Sequence, residues 1–347
     1  MRGAMLGFVL LTTSAMAQDA VRTVKVADGV FAILQPDDNR FNDANSVLIV
    51  GPTSAIVIDS QVSPASAHAF IAEIRKLTDK PVRHVVATHW HGDHFQGNQA
   101  YRDAWPDVEF VAHASAADEM RTRATRMLDD DIARLTNELA RTGLRLNRGV
   151  DLKGQPLDRD AHQLLFESLA RGHRRLSDLK SVEFVFPTTL VGEETIWNVG
   201  REVRLLHFRG HTAGDLAVYL PAERVLITGD LVDDMPYLGH GFPSEYLRAL
   251  DSLTALDWNL MVPGHGQVRR GKDHVRLVAE VFSAVYADVR RAMAAGLPPE
   301  YAVSRVNLES YREKLSYGDA SAAHVFDAFM PKAVARMYEE LSAKPGK

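Results

Sequence analysis

The 347-residue chain contains no cysteine. That absence excludes a disulfide framework, a thiolate nucleophile, an iron–sulfur cluster, a cysteine-ligated zinc site and a lipid anchor on cysteine. Any metal must therefore be held by His, Asp or Glu. A strong charge of either sign is also lacking. Lys+Arg 40 against Asp+Glu 45 leaves a formal net charge of −5, which offers no basic field for nucleic acid or anionic lipid. Beyond the first residues no run of about twenty apolar residues occurs, so no membrane anchor is expected in the mature protein. What is present is size: 46% of the residues are hydrophobic, enough for one large or two modest domains to bury a core without covalent staples.

The first seventeen residues read as a secretion signal. Arg2 supplies the positive end, LGFVLL at 6–11 the apolar run, and Ala15-Met16-Ala17 a small-x-small cleavage site. The expected product is periplasmic or secreted and begins at Gln18.

Strand and helix periods then alternate. Runs at 30–34, 47–50 and 55–58 are β-like, with Gly51-Pro52 between the last two. Ser63-Pro64 reads as the N-cap and first turn of a helix whose apolar face is Ala67, Phe70, Ile71, Ile74 and Leu77. A buried strand at 82–87 leads into Thr88-His89-Trp90-His91-Gly92-Asp93-His94, followed by a short helix and a strand at 108–112. Residues 115–180 are charged and helical in period, an insert suited to covering the site or contacting another copy. Strands are expected again at 183–186, 188–191, 203–208, 216–220, 225–228 and 260–262, with a helix at 245–256 before the last. The final 75 residues read as helices. Two sets of strands, each followed by helices, imply two packed sheets with helices outside.

The His-x-His-x-Asp-His cluster stands where a buried strand ends. In an extended segment residues two apart point the same way, so His89 and His91 can converge on one cation. Asp93 and His94 then point elsewhere as the helix begins, which suits a second cation. Further donors follow three later strands: His211 in Gly210-His211-Thr212, Asp230 in Thr228-Gly229-Asp230, and His265 in Pro263-Gly264-His265. The flanking glycines permit close backbone approach. Tyr237, His240 and Trp90 are the candidates for substrate contact. His84, His113 and His207 are expected to be structural.

In these motifs, from residue 24 to about 270, the chain resembles the metallo-β-lactamase superfamily. The resemblance implies an α/β fold, an αββα sandwich, over 18–272, with the helical insert inside it and a C-terminal helical extension at 273–347. It implies that His89, His91 and His211 bind one zinc, that Asp93, His94 and His265 bind a second, that Asp230 bridges them, and that Asp59 orients a ligand. The chain is similar in its cluster to the cysteine-free subclass of β-lactamases, but Asp230 stands where that subclass usually has Ser. Asp there is the pattern of the wider family. The stretch from Asp230 to His265, with the secretion signal, most resembles exported zinc hydrolases linked to quinoprotein and sulfur-oxidation systems.

Two Zn2+ ions are the expected cofactors, with iron or manganese also suited to imidazole and carboxylate donors. Two such cations bring a shared water's pKa toward neutrality and present hydroxide to a carbonyl. Asp93 and Asp230 are then the catalytic carboxylates, and the partner is a small-molecule acyl substrate: a β-lactam or other amide, a lactone or ester, or a thioester. Two alternatives use the same fold: an iron-dependent persulfide oxygenase, and a periplasmic protein that handles a metal or cofactor without turnover.

Overall fold

The computed structural model describes residues 21–305 and 308–343. The expected secretion signal lies outside the described residues.

One sheet has seven strands in sequential order: β1 (Arg22–Ala27), β2 (Val30–Leu34), β3 (Ser46–Val50), β4 (Ala55–Ile58), β5 (Val82–Val86), β6 (Glu109–His113) and β7 (Thr189–Val191). Its first four strands are antiparallel, and β4 to β7 run parallel. The other sheet contains β8 (Glu194–Asn198), β9 (Glu202–Phe208), β10 (Asp215–Leu220), β11 (Val225–Gly229), β12 (Leu260–Pro263) and β13 (Arg269–Arg270), again in sequential order. Crossovers in the first sheet are α1 (Pro64–Leu77), α2 (Gly92–Phe95) with α3 (Asn98–Ala104), and the insert, which comprises α4 (Ala114–Glu119), a π-helical turn (Met120–Ala124), α5 (Thr125–Arg148) and α6 (Arg159–Lys180). The second sheet carries α7 (Pro243–Ala255), α8 (Asp273–Ala294), α9 (Pro299–Arg305), α10 (Glu309–Ser316) and α11 (Ala320–Ser342).

Strand alternation sorts the apolar side chains into layers. Val47 and Ile49 face the second sheet and meet Val203, Leu205, Val218 and Ile227. Leu48 between them points the other way, against Phe70, Ile71 and Ile74 of α1. On the outer face of the second sheet, Ala217, Tyr219, Leu226 and Met261 pack with α7, α8 and α11. The result is the αββα sandwich, with a buried seam between sheets and helices on both outsides. α1 starts as its sequence implies: Ser63 Oγ accepts from the Ser66 amide at 3.2 Å, and Pro64 opens the helix.

One strand expectation differs from the structure. Residues 183–186 are irregular. Their backbone is claimed by side chains of α3: Asn98 Nδ2 donates to the Val185 carbonyl at 2.8 Å, and Gln99 Oε1 accepts from the Glu183 amide. Phe184 and Phe186 pack beside Phe95 under the His cluster. β8, unanticipated, is an edge strand whose side chains alternate between half-buried and exposed, a weak apolar signal. The insert is helical from Ala114 to Lys180 apart from the connection between α5 and α6. Its first turns pack on Trp90, while α5 and α6 pack chiefly on each other and leave Leu144, Leu152, Leu164 and Phe166 exposed. Among the described residues no helix is long and apolar enough to cross a membrane.

Candidate metal centre

All seven donors expected from sequence converge at the ends of β5, β9, β11 and β12. They form two groups. His89 Nε2 and His211 Nε2 each lie 2.9 Å from His91 Nδ1. In the second group His265 Nε2 lies 3.0 Å and His94 Nε2 3.5 Å from Asp93 Oδ2. Asp230 stands between them. Its Oδ2 is 3.6 Å from His89 Nε2 and 3.5 Å from His211 Nε2, and its Oδ1 is 3.2 Å from His94 Nε2 and 3.6 Å from His265 Nε2.

Each imidazole is oriented through its outer nitrogen. His94 Nδ1 donates to Asp59 Oδ2 at 2.8 Å, His211 Nδ1 to the Tyr237 carbonyl at 2.8 Å, and His265 Nδ1 to the Arg40 carbonyl at 3.1 Å. Thr88 gives its hydroxyl proton to Asp59 Oδ2 at 2.9 Å, so its oxygen accepts from His89 Nδ1 at 3.1 Å. His91 Nε2 lies 2.9 Å from His240 Nδ1. The outer N–H groups being committed, the inner nitrogens face the centre as lone pairs, an arrangement that repels itself unless a cation lies between.

Two buried atoms support that fit. His94 Nε2 and Asp230 Oδ1 have no hydrogen-bond partner among the described residues, a costly condition. Electrostatics agrees. Burial and the neighbouring imidazoles hold His89 and His91 well below the usual imidazole range, in the neutral form that ligates metals. On the other side burial again lowers the imidazoles, but Asp230 and nearby carboxylates outweigh it, lifting His265 to about 10 and His94 well above its usual range. That half of the centre draws positive charge. Burial raises Asp93, yet His94 and His265 bring its carboxyl down to about 2.

The backbone reaches the centre through unusual turns. Asp59 has a φ of 62° and Gln61 of 70°, left-handed values that turn the chain sharply after β4. The Asp59 carboxylate also accepts from the Thr88 amide at 2.7 Å, tying the end of β4 to the His cluster. A Cβ on Gly264 would collide with Asp230 Oδ1, and one on Gly229 with Thr88 Oγ1. Asn45 joins the two sheets, donating to the Pro263 and Gly266 carbonyls at 3.1 Å each, and Asp233 accepts from the His265 amide at 2.8 Å.

The substrate-contact candidates separate. Tyr237 and His240 are partly exposed beside His91 and His211. Trp90 is fully buried, its ring 4.5 Å from that of His91, so it braces a ligand from behind rather than walling an open pocket. Three residues near the centre had no local sequence signal: Asp43, Asp233 and Arg123. His113 and His207 stack with centroids 3.6 Å apart and planes within 3°. Parallel rings cannot aim both lone pairs at one ion, so with Glu193 they make a poor metal site despite their proximity.

A sequence profile described as the Metallo-beta-lactamase superfamily matches residues 39–265. A linear primary-alkylsulfatase from Pseudomonas sp. (strain ATCC 19151) is 26% identical over 75% of this chain, which spans about half (49%) of that relative. The acyl-coenzyme A thioesterase MBLAC2 of Bos taurus is 25% identical over 74% of this chain and 85% of its own. Among solved structures, a double mutant of the sec-alkyl sulfatase PisA1 superposes with a TM-score of 0.62 at 17% identity, covering 94% of this chain and 52% of that one. A metallo-beta-lactamase from Pontibacter korlensis gives 0.51 at 16% identity, covering 76% of this chain and 99% of that one. With its two sheets, its clustered His and Asp donors and a profile match across most of its length, this chain belongs to the metallo-β-lactamase superfamily.

Proposed function

We propose that the chain is a dinuclear zinc hydrolase that cleaves an acyl bond of a small molecule, that of a β-lactam or other amide, a lactone or ester, or a thioester. The carrying observation is the position of Asp230, which turns one carboxylate oxygen to each donor group. His89, His91 and His211 would hold one cation, Asp93, His94 and His265 the other, and Asp230 both. Imidazole and carboxylate donors suit zinc. Cations held there supply Lewis acidity, acidifying water and drawing charge from the bond to be cut.

The chain's own groups supply position and protons. The Asp93 carboxylate, ionised above pH of about 2, can accept a hydrogen bond from the attacking water and set its direction. His91 presents Nδ1 to the centre, so its Nε2–H donates to His240 Nδ1. The proton of His240 is then on Nε2, which has no partner among the described residues. This N–H and the Tyr237 hydroxyl, whose proton burial retains, are the donors for an oxygen that gains charge as the bond breaks.

A second reading is hydrolysis of a sulfate ester. It is favoured by the alkylsulfatase relative and by the PisA1 superposition, which at 94% coverage extends into the C-terminal helices. Metal analysis and a hydrolysis screen test both readings. About two zinc per chain with turnover of thioester, ester, lactone or β-lactam supports the first, and release of inorganic sulfate supports the second. Iron with O2 consumption would replace both with a persulfide oxygenase. Bound metal without turnover of any class would leave metal handling as the function.

A further inference from the structure

Two cationic side chains flank the loop that carries Tyr237 and His240, and neither belongs to the donor set. Arg123 comes from the π-helical turn between α4 and α5. Its guanidinium lies 4.3 Å from the centre of the Trp90 ring, which is itself 5.4 Å from that of His240. Lys332 comes from α11, directly after Pro331 in the helix interior. Its ammonium lies 5.4 Å from the Tyr237 ring and 6.0 Å from that of Phe329.

Their partners leave donors to spare. Arg123 is ion-paired with Glu119, its Nη1 donating to Oε1 at 2.6 Å, while Nε and Nη2 remain without a hydrogen bond among the described residues. Lys332 is exposed and has neither an ion pair nor a hydrogen bond there. Each therefore has N–H donors to offer an anionic group beside the loop that carries Tyr237 and His240. The π-helical turn adds a local observation. Such turns are rare within α-helices and frequent at functional sites. Arg123 lies within it.

We propose that Arg123 and Lys332 recognise an oxyanion carried by the substrate, so that the molecule cleaved at this centre is an amphiphilic anion. Arg123 offers a planar fork and Lys332 a point charge, a combination suited to a group with several oxygens. The Tyr237 and Phe329 rings, 5.0 Å apart, supply the adjoining apolar surface. The insert and the C-terminal helices thus each contribute one specificity residue to the centre between them. The word substrate rests on the hydrolase reading; the binding site does not.

The test measures calorimetric binding of inorganic sulfate and of butyrate to the zinc-loaded full chain, with zinc content determined in every sample. Arg123→Ala and Lys332→Ala should each weaken the tighter-bound anion about tenfold, as expected for removing a charged hydrogen-bond donor. Lys332→Arg should recover most of the loss and Arg123→Lys only part of it, and whichever anion binds more tightly identifies the oxyanion. Equal affinity in the parent and both alanine variants, or no binding of either anion by the parent, overturns the proposal. Loss of zinc in Lys332→Ala also overturns it, because the residue would then be structural. If the pair binds anion but the protein turns over no acyl substrate or sulfate ester, the hydrolase reading fails and the site stands.

Discussion

The Asp59 carboxylate lies 2.8 Å from His94 Nδ1 and has both oxygens engaged: it also accepts the Thr88 amide at 2.7 Å and hydroxyl at 2.9 Å. Every lone pair in use meets a donor, so the site has no place for an amide NH2. Asp59→Asn keeps the volume and tolerates the left-handed backbone, but must turn NH2 toward one of those donors. Metal affinity, read by competition with a chromophoric chelator, should fall about 10- to 100-fold. Unchanged affinity would show that His94 is oriented without Asp59.

Asp43 contributes to the pH dependence of folding. Burial raises its carboxyl from 3.8 to about 7. Its Oδ1 accepts the Ala44 and Val62 amides, each at 2.9 Å, while Oδ2 meets the Ser66 hydroxyl. The protonated acid satisfies all three, donating to Ser66. Because the folded pKa is raised, its stabilising contribution is complete below about pH 4 and is lost as the pH rises through 7, at most about 4 kcal/mol. Asp43→Asn mimics the neutral acid, so urea unfolding should show a flatter pH profile and a higher midpoint than the parent at pH 8. Parallel profiles would contradict this assignment.

Gly97 is a packing constraint, not a conformational one. Its amide donates to the Gln61 carbonyl at 2.9 Å, and a Cβ there would run into the Ser60 carbonyl and Ala67. Gly97→Ala therefore has to push α3 away from the turn that holds Asp59. We expect a loss of about 3 kcal/mol in denaturant unfolding of the metal-free protein. A loss under 1 kcal/mol would mean that the turn after β4 yields easily.

Chelation should lower the melting temperature, and zinc should restore it. With free zinc at about 1,000 times its dissociation constant, the gain is about 4 kcal/mol. Scanning calorimetry across a zinc series checks this. A melting temperature indifferent to zinc would separate folding from metal binding.

Much of this was legible from residue order because the signals were local. Ser63 and Pro64 start α1 with a cap and a fixed φ, and Val47, Leu48 and Ile49 alternate between two buried faces. Each donor after a strand could be read because a strand end and an adjoining glycine are sequence features. Residues 183–186 misled because Phe184, Val185 and Phe186 carry β-like composition while distant Asn98 and Gln99 claim their backbone. Arg123 and Lys332 were unreadable for a similar reason. Each sits in a polar helical stretch, and only tertiary packing puts both beside one loop.

The donors are divided between the two sheets: His89, His91, Asp93 and His94 follow β5, while His211, Asp230 and His265 follow strands of the other sheet. The helical insert lies between these sets in the chain. An early-folding half can therefore offer a cation only a partial, open set of ligands. In the proposed site, tight capture would wait until both sheets have docked and Asp230 is in place, so a retained metal would certify that assembly is complete.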